Sequence, residues 1–126
     1  MDVVLIPLND DNYGYLVIDQ KTKQAAIVDV SNQPEKVVQV AKDHAVNLTK
    51  VLTTHKHWDH AGGNNVVKTL VPGIEIIGSK IDDVEGCTKF VEDNEEFQLT
   101  DNINVNCILT PGHTMGHICY VLTCSD

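Results

Sequence analysis

The chain has 126 residues, which is the usual length of one domain. Hydrophobic residues make up 42% of it, an ordinary share for a globular protein, and no apolar run approaches the ~20 residues of a membrane-spanning helix. The formal net charge of -9 excludes nucleic acid and anionic membranes as natural partners. The first residues have neither the basic flank of a signal peptide nor the arginines of a transit peptide, so we expect a cytoplasmic protein.

Strand and helix patterns alternate along the chain. Short apolar runs between turn residues predict strands, and a helical apolar period behind a cap or turn signal predicts helices. The predicted strands are residues 3–8, 13–19, 24–30, 48–52, 74–78, 97–99, 103–110 and 118–122. The predicted helices are 35–45 and a second one that begins near Gly62 or Asn64 and stops before Pro72. This alternation is typical of an α/β layered protein.

Two features of the sequence have simple interpretations. The acidic runs 82–86 and 92–96 are typical of a solvated surface. The four cysteines form no C-x-x-C pair and lie in or near apolar runs, so we expect buried, reduced thiols. The alternative for Cys119 or Cys124 is a soft metal ligand.

Potential metal ligands are concentrated in residues 53–64, which include His55, His57, Asp59 and His60. Imidazole nitrogens are the commonest protein ligands for zinc-like ions, and a carboxylate adds negative charge. In an extended segment His55, His57 and Asp59 would point the same way, and His60 would come from the bend that the following glycines permit. The alternative is a solvated, histidine-rich loop without a metal.

A second glycine-containing turn, residues 110–117, carries His113 and His117. Each of the two turns follows an apolar run, which predicts that the histidines lie on loops at strand ends, where functional residues tend to sit. Three histidines and a water form a catalytic zinc arrangement, in which the fourth position is left for a reacting group. Asp29, at the end of a predicted strand, is either a turn carboxylate or a partner that orients a metal-bound histidine.

Residues 54–60 resemble the T-H-x-H-x-D-H signature of the metallo-β-lactamase superfamily, and the A-G-G-N of residues 61–64 makes the match more specific. With residues 11–13 near the start and 111–117 near the end, the chain is similar to the hydroxyacylglutathione hydrolase (glyoxalase II) family. The resemblance implies an α/β fold, a metallo-β-lactamase-like layered β-sheet with flanking helices. It covers the first half of the family's length, so we expect one domain over residues 1–126, the first half of an αββα sandwich truncated at its C-terminal end.

The resemblance also implies a set of metal ligands and a reaction. His55, His57 and His113 would bind one ion, and Asp59 and His60 would contribute to a second. Zinc is the expected metal, with iron or manganese as alternatives, and we expect one ion in this chain because the family completes its second site with later residues. The implied reaction is hydrolysis of S-lactoylglutathione, an S-2-hydroxyacylglutathione, to glutathione and a 2-hydroxy acid, in methylglyoxal detoxification. Metal-bound hydroxide would attack the thioester carbonyl while Asp59 orients the nucleophile.

Three hypotheses of function remain. The first is this zinc-dependent thioester hydrolase, whose activity truncation could remove. The second is an iron-dependent persulfide dioxygenase-like member of the superfamily, which uses one metal. The third is a non-catalytic metal-binding or dimerising half-domain. An exposed apolar sheet face would favour self-association, and the family also allows a mitochondrial location.

Overall fold

A computed structural model describes residues 1–8, 12–112 and 114–125, except for the side chains of Trp58 and Asp59. The elements of this part of the chain are, in order, β1 (Asp2–Leu8), β2 (Asn12–Ile18), β3 (Gln24–Val28), α1 (Pro34–Asp43), β4 (Asn47–Leu52), α2 (Trp58–Ala61), α3 (Asn64–Leu70), β5 (Glu75–Ser79), β6 (Lys89–Val91), β7 (Glu96–Gln98), β8 (Ile103–Leu109) and β9 (Ile118–Cys124). The predicted strands and both predicted helices are present, with ends that differ by a few residues. The short elements α2 and β6 were not predicted.

The strands form two sheets. Strands β1 to β6 lie in sequence order in the first sheet, where β1, β2 and β3 are antiparallel and β3 to β6 are parallel. Strands β7, β8 and β9 form an antiparallel second sheet. Because β3 to β6 run parallel, their carboxyl ends lie along one edge of the first sheet, and the segments that follow them meet there.

Two apolar cores hold these layers together. One lies between the first sheet and the helices α1 and α3, and the other lies between the two sheets. The first core includes Ile6, Leu16, Ile27, Val37, Val51, Val67 and Ile76. The second includes Val17, Ala26, Leu52, Ile77, Leu99, Val105 and Ile118. Side chains that alternate along a strand point to opposite faces, so the central strands contribute to both cores. The predicted layered α/β fold class is confirmed.

Asp19 joins the two sheets at the amino-terminal end of β3. Its buried carboxylate accepts hydrogen bonds from Thr100 Oγ1 at 2.6 Å, from Asn102 Nδ2 at 3.1 Å and from the backbone N–H of Lys21 at 3.0 Å. The Thr100 hydrogen bond, with those from Asn102 and the backbone, outweighs burial and holds the pKa of Asp19 well below its ordinary value. The ionised carboxylate therefore stabilises the contact between the β2–β3 turn and the β7–β8 turn.

One apolar strip of the first sheet is exposed. Val3, Leu5, Tyr13 and Tyr15 alternate along β1 and β2 with the half-buried Val4 and the buried Gly14, and each is at least 41% exposed. They lie on the same face as Val17, which the second sheet covers. We call these four exposed residues the β1–β2 strip.

The four cysteines are all free thiols. Cys107 is buried, and burial raises the pKa of its thiol to about 11. The expectation of buried thiols is thus confirmed for Cys107, but it is wrong for Cys119, which is exposed because its side chain points to the outer face of β9.

No helix in the described ranges 1–8, 12–112 and 114–125 is long and apolar enough to cross a membrane.

Candidate metal centre

The first histidine turn begins where β4 ends, at the carboxyl edge of the parallel strands. Thr53 N–H donates to the carbonyl oxygen of Ile77 on β5 at 2.8 Å, and Asp29 N–H donates to the carbonyl oxygen of Leu52 at 2.9 Å. These bonds continue the sheet ladder past the strand ends, so the segments after β3 and β4 are held side by side. In open α/β sheets, this edge is the usual place for a ligand.

Four imidazole rings cluster at this edge. The ring centroid of His55 lies 4.1 Å from that of His60 and 5.0 Å from those of His57 and His117. His55, at the centre, is only 3% exposed. His117 belongs to the second turn, so the fold brings the two histidine turns together.

Three of the residues predicted as ligands, His55, His57 and His60, are therefore neighbours. His113 and the side chain of Asp59 lie outside the described residues, and their roles stay predictions. His117 was predicted to lie with His113 on a loop at a strand end, but it was not assigned as a ligand. The available signal was its position in the same glycine-containing turn as His113.

Asp29 binds both the first histidine turn and one of its rings. Its carboxylate accepts hydrogen bonds from Thr54 N–H at 2.8 Å and Thr54 O–H at 2.7 Å, and Oδ2 lies 2.8 Å from His60 Nδ1. Asp29 has a φ of 62°, in the left-handed region that aspartate tolerates better than most residues. Of the two hypotheses for Asp29, the geometry matches a carboxylate that orients a histidine.

The other two anchored rings are held by threonine hydroxyls. Thr54 Oγ1 lies 3.0 Å from His55 Nδ1, and Thr110 Oγ1 lies 2.9 Å from His117 Nδ1. Since Nδ1 is engaged in each of these rings, a metal would have to be bound through Nε2. Fixing one ring nitrogen in this way is how proteins orient metal-binding histidines.

The chemistry of this donor set fits a divalent transition metal, because several imidazoles with anchored Nδ1 atoms lie together. Among the side chains that the structure describes, no three of His, Cys, Asp or Glu form a group that could hold an ion by themselves. The predicted sets draw on residues outside that part of the chain. His55 and His57 would act with His113, and His60 would act with Asp59.

Two further bonds connect the histidine turns across the sheets. Ile118 N–H donates to the carbonyl oxygen of Thr54 at 2.9 Å, and Tyr120 O–H donates to that of Thr53 at 2.7 Å. Burial raises the pKa of Tyr120 well above its ordinary value. The first residues of β9 are therefore fixed directly beside the end of β4.

The acidic run 82–86 is not a solvated surface throughout. Asp82 is 3% exposed and accepts hydrogen bonds from residues of both histidine turns. The other two acidic residues of the run, Asp83 and Glu85, are exposed. The solvated interpretation is therefore wrong for Asp82, because its carboxylate finds three hydrogen-bond donors inside the protein.

Comparison with known proteins decides the family. Residues 11–126 match the model of the metallo-beta-lactamase superfamily. The chain belongs to the metallo-β-lactamase superfamily. The superfamily implies metal binding, without specifying the metal.

Curated relatives of this superfamily member include hydroxyacylglutathione hydrolases. The cytoplasmic hydroxyacylglutathione hydrolase of Arabidopsis thaliana is 47% identical over 120 residues, which are 95% of this chain and 46% of the relative. The hydroxyacylglutathione hydrolase-like proteins of Bos taurus and Homo sapiens are 43% identical over 122 residues, or 97% of this chain and 62% and 41% of theirs. The chain thus spans about half the length of the curated relatives it matches. The predicted resemblance is confirmed, and it supports a hydrolase family.

Solved structures of the superfamily share the fold. ETHE1 from Myxococcus xanthus superimposes with a TM-score of 0.85 at 25% identity, over 97% of this chain and 54% of the other. A metallo-β-lactamase with a HARLDQ motif from Cronobacter sakazakii gives 0.84 at 15% identity, over 98% of this chain and 56% of the other. The second likeness shows the fold alone.

Proposed function

We propose that this chain carries the metal centre of a glyoxalase II-type thioester hydrolase that acts on S-lactoylglutathione, with zinc as its metal. The observation that carries the proposal is the cluster of His55, His57 and His60 at the carboxyl edge of the parallel strands, with Asp29 on His60 Nδ1. The relatives named hydroxyacylglutathione hydrolase support the substrate class. By the same analogy with the Arabidopsis relative, we propose a cytoplasmic location.

The roles we assign follow the geometry of the two turns. His55 and His57, with His113, would hold one ion, and His60, with Asp59, would contribute to a second. An ion held there would supply Lewis acidity, because it lowers the pKa of a bound water from ~15.7 towards ~7 and polarises a carbonyl oxygen. Thiolate is a good leaving group, with a parent thiol pKa near ~8.5, so the chain needs no strong general acid.

The net charge of -9 adds a reason for a metal. A glutathione thioester is anionic, and the protein's own field would repel it. A divalent cation held beside the histidine cluster would invert the local field where the substrate must approach.

The test measures metal content and hydrolysis of S-lactoylglutathione on the same preparation of the 126-residue chain. We expect His55→Ala and His57→Ala to lose both bound metal and turnover. His44→Ala is the matched control, because His44 is an exposed histidine at the C-terminus of α1, away from the two turns. It should retain both. Metal binding without thioester cleavage in the unsubstituted chain would contradict the proposal.

A second candidate is an iron-dependent persulfide dioxygenase-like activity, which the likeness to ETHE1 favours. It predicts oxygen consumption with a glutathione persulfide and an iron-loaded chain, and no cleavage of the thioester. The two substrates assayed side by side on the zinc- and iron-loaded chain separate the candidates.

A further inference from the structure

Asp82 is a buried carboxylate whose three hydrogen-bond donors all lie in the histidine turns. It follows β5 and is 3% exposed, while its sequence neighbour Asp83 is exposed. Oδ2 accepts hydrogen bonds from Lys56 N–H at 2.9 Å and Thr114 O–H at 2.8 Å, and Oδ1 accepts one from Gly116 N–H at 2.8 Å. Hydrogen bonds to an ionised carboxylate are about twice as strong as those between neutral groups.

The positions of these donors relate Asp82 to the metal centre. Lys56 lies between His55 and His57, and Gly116 immediately precedes His117. One carboxylate therefore binds the backbone of both turns next to the imidazoles that they carry. Burial opposes ionisation of Asp82, but the hydrogen bonds from Thr114, Gly116 and Lys56 outweigh it and lower the carboxyl pKa.

The second turn can approach this closely because residue 116 is glycine. A Cβ on Gly116 would lie 2.6 Å from both the backbone N and Oδ1 of Asp82. Real Cβ atoms do not come this near, so a side chain at this position would push the turn and the carboxylate apart. A substitution at either Gly116 or Asp82 would therefore disturb the contact between the two residues.

We propose that Asp82 is a positioning residue of the metal centre, which fixes the spacing between the histidines of the two turns. This role rests on the proposed function only in taking the histidines as metal ligands. Asp82 acts through the backbone of Lys56 and Gly116.

Asp19 provides a matched comparison. It is also buried, and it also has its pKa lowered by hydrogen bonds, but it lies at the other end of β3, and its side-chain partners Thr100 and Asn102 are in the β7–β8 turn. Replacing Asp19 should therefore weaken the fold and leave the metal centre unchanged.

The experiment compares Asp82→Asn, Gly116→Ala, Asp19→Asn and the exposed control Asp83→Asn. Whichever way the asparagine amide is turned at position 82, its NH₂ faces one backbone N–H, so the hydrogen bond from either Lys56 or Gly116 is lost. We expect Asp82→Asn and Gly116→Ala to weaken Co²⁺ and Zn²⁺ binding by about tenfold or more and to change the Co²⁺ absorption spectrum. The effects of the two substitutions should be less than additive in the double variant, because both disturb the hydrogen bonds of the same carboxylate. Asp19→Asn should lower the urea midpoint without changing metal affinity, and Asp83→Asn should change neither.

A readout on the metal-free chain separates this inference from the proposed function. The rings of His55 and His117 are 5.0 Å apart, so their ring protons should show a nuclear Overhauser effect. We expect that effect to vanish in Asp82→Asn and to persist in Asp19→Asn. If the two variants differ in this way but the chain hydrolyses no thioester, the positioning role of Asp82 is supported and the proposed reaction is contradicted. An unchanged ring contact in Asp82→Asn, or a metal affinity unchanged while the urea midpoint falls, would overturn the inference and leave Asp82 a purely structural residue.

Discussion

Replacing Asp29 with asparagine tests whether Asp29 determines which ring nitrogen of His60 is free to bind a metal. Asparagine keeps the size of aspartate and tolerates the φ of 62° at this position, so the backbone can stay as it is. A carboxylate can only accept hydrogen bonds, so in the native chain the hydrogen of the His60 ring lies on Nδ1, 2.8 Å from Oδ2. This leaves Nε2 as the nitrogen with a lone pair.

The size of the effect follows from these contacts. If the asparagine oxygen keeps the bond to Thr54 N–H, its NH₂ faces His60 Nδ1 and donates to it, which moves the ring hydrogen to Nε2. When a metal binds through Nε2, the variant lacks the hydrogen bond from Nδ1 to a charged carboxylate that the native chain keeps, which is worth about 1.5–3 kcal/mol. At about 1.4 kcal/mol per factor of ten, this corresponds to an affinity roughly 10- to 100-fold weaker.

Two measurements check this prediction. Nitrogen-15 NMR of the imidazole rings reports which nitrogen of His60 carries the hydrogen. Direct titration with excess Zn²⁺ reports the affinity for a second, weaker ion, the one that His60→Ala should lose. Asp43→Asn is the control, because Asp43 is an exposed α1 residue whose carboxylate accepts a hydrogen bond from Gln39 of the same helix. An Asp29→Asn chain that keeps the native ring form of His60 and binds that ion as tightly as the unsubstituted chain would contradict the prediction.

Three other outcomes concern stability and assembly. Gly63→Ala should lower the free energy of unfolding by about 1–3 kcal/mol, because its Cβ would lie 2.8 Å from a backbone oxygen. Gly112→Ala, whose Cβ meets nothing within 4 Å, should leave the urea midpoint unchanged, and equal losses in the two variants would contradict the steric argument. Stability should fall as the pH drops below about 4, since the lowered pKa of Asp19 means that the unfolded chain binds a proton there before the folded chain does. In urea titrations at several pH values, Asp19→Asn should lose less stability on acidification than the unsubstituted chain. An equal loss of stability in the two chains would contradict this prediction. Self-association stays a prediction. If it occurs through the β1–β2 strip, Leu5→Lys should lower the molar mass measured by light scattering.

The parts of the fold that follow local patterns were predictable from the sequence. Apolar alternation and cap signals located β1 to β5 and both longer helices, because each element has its own periodic face. Strand β6 has three residues, Lys89–Val91, too few to show a period. Strands β3 to β6 pair in parallel because of the crossover connections between them. The residue pattern within a single strand does not predict this pairing.

Within the candidate site, the histidines were predictable from the sequence, and the contacts of their partner residues were not. His55, His57 and His60 stand out as residue types, whereas Asp29 becomes informative through a contact with a ring 31 positions away. Asp82 was misread because an acidic run normally faces water. Buried Asp82 and Val84 do alternate with exposed Asp83 and Glu85, but no sequence pattern shows the three donors that make burial of a carboxylate favourable.

The dispersed origin of the histidine cluster has a consequence for how the chain reaches its native state. The contacts of Asp82 with Lys56 and Gly116 join residues 26 and 34 positions apart, and that of Asp29 with His60 spans 31. Contacts between distant residues form slowly in folding, so the cluster can be complete only when most of the tertiary structure is. A metal that binds this cluster would bind only the folded state, and at a hundredfold excess over its dissociation constant it adds about 2.7 kcal/mol to the stability of the whole chain.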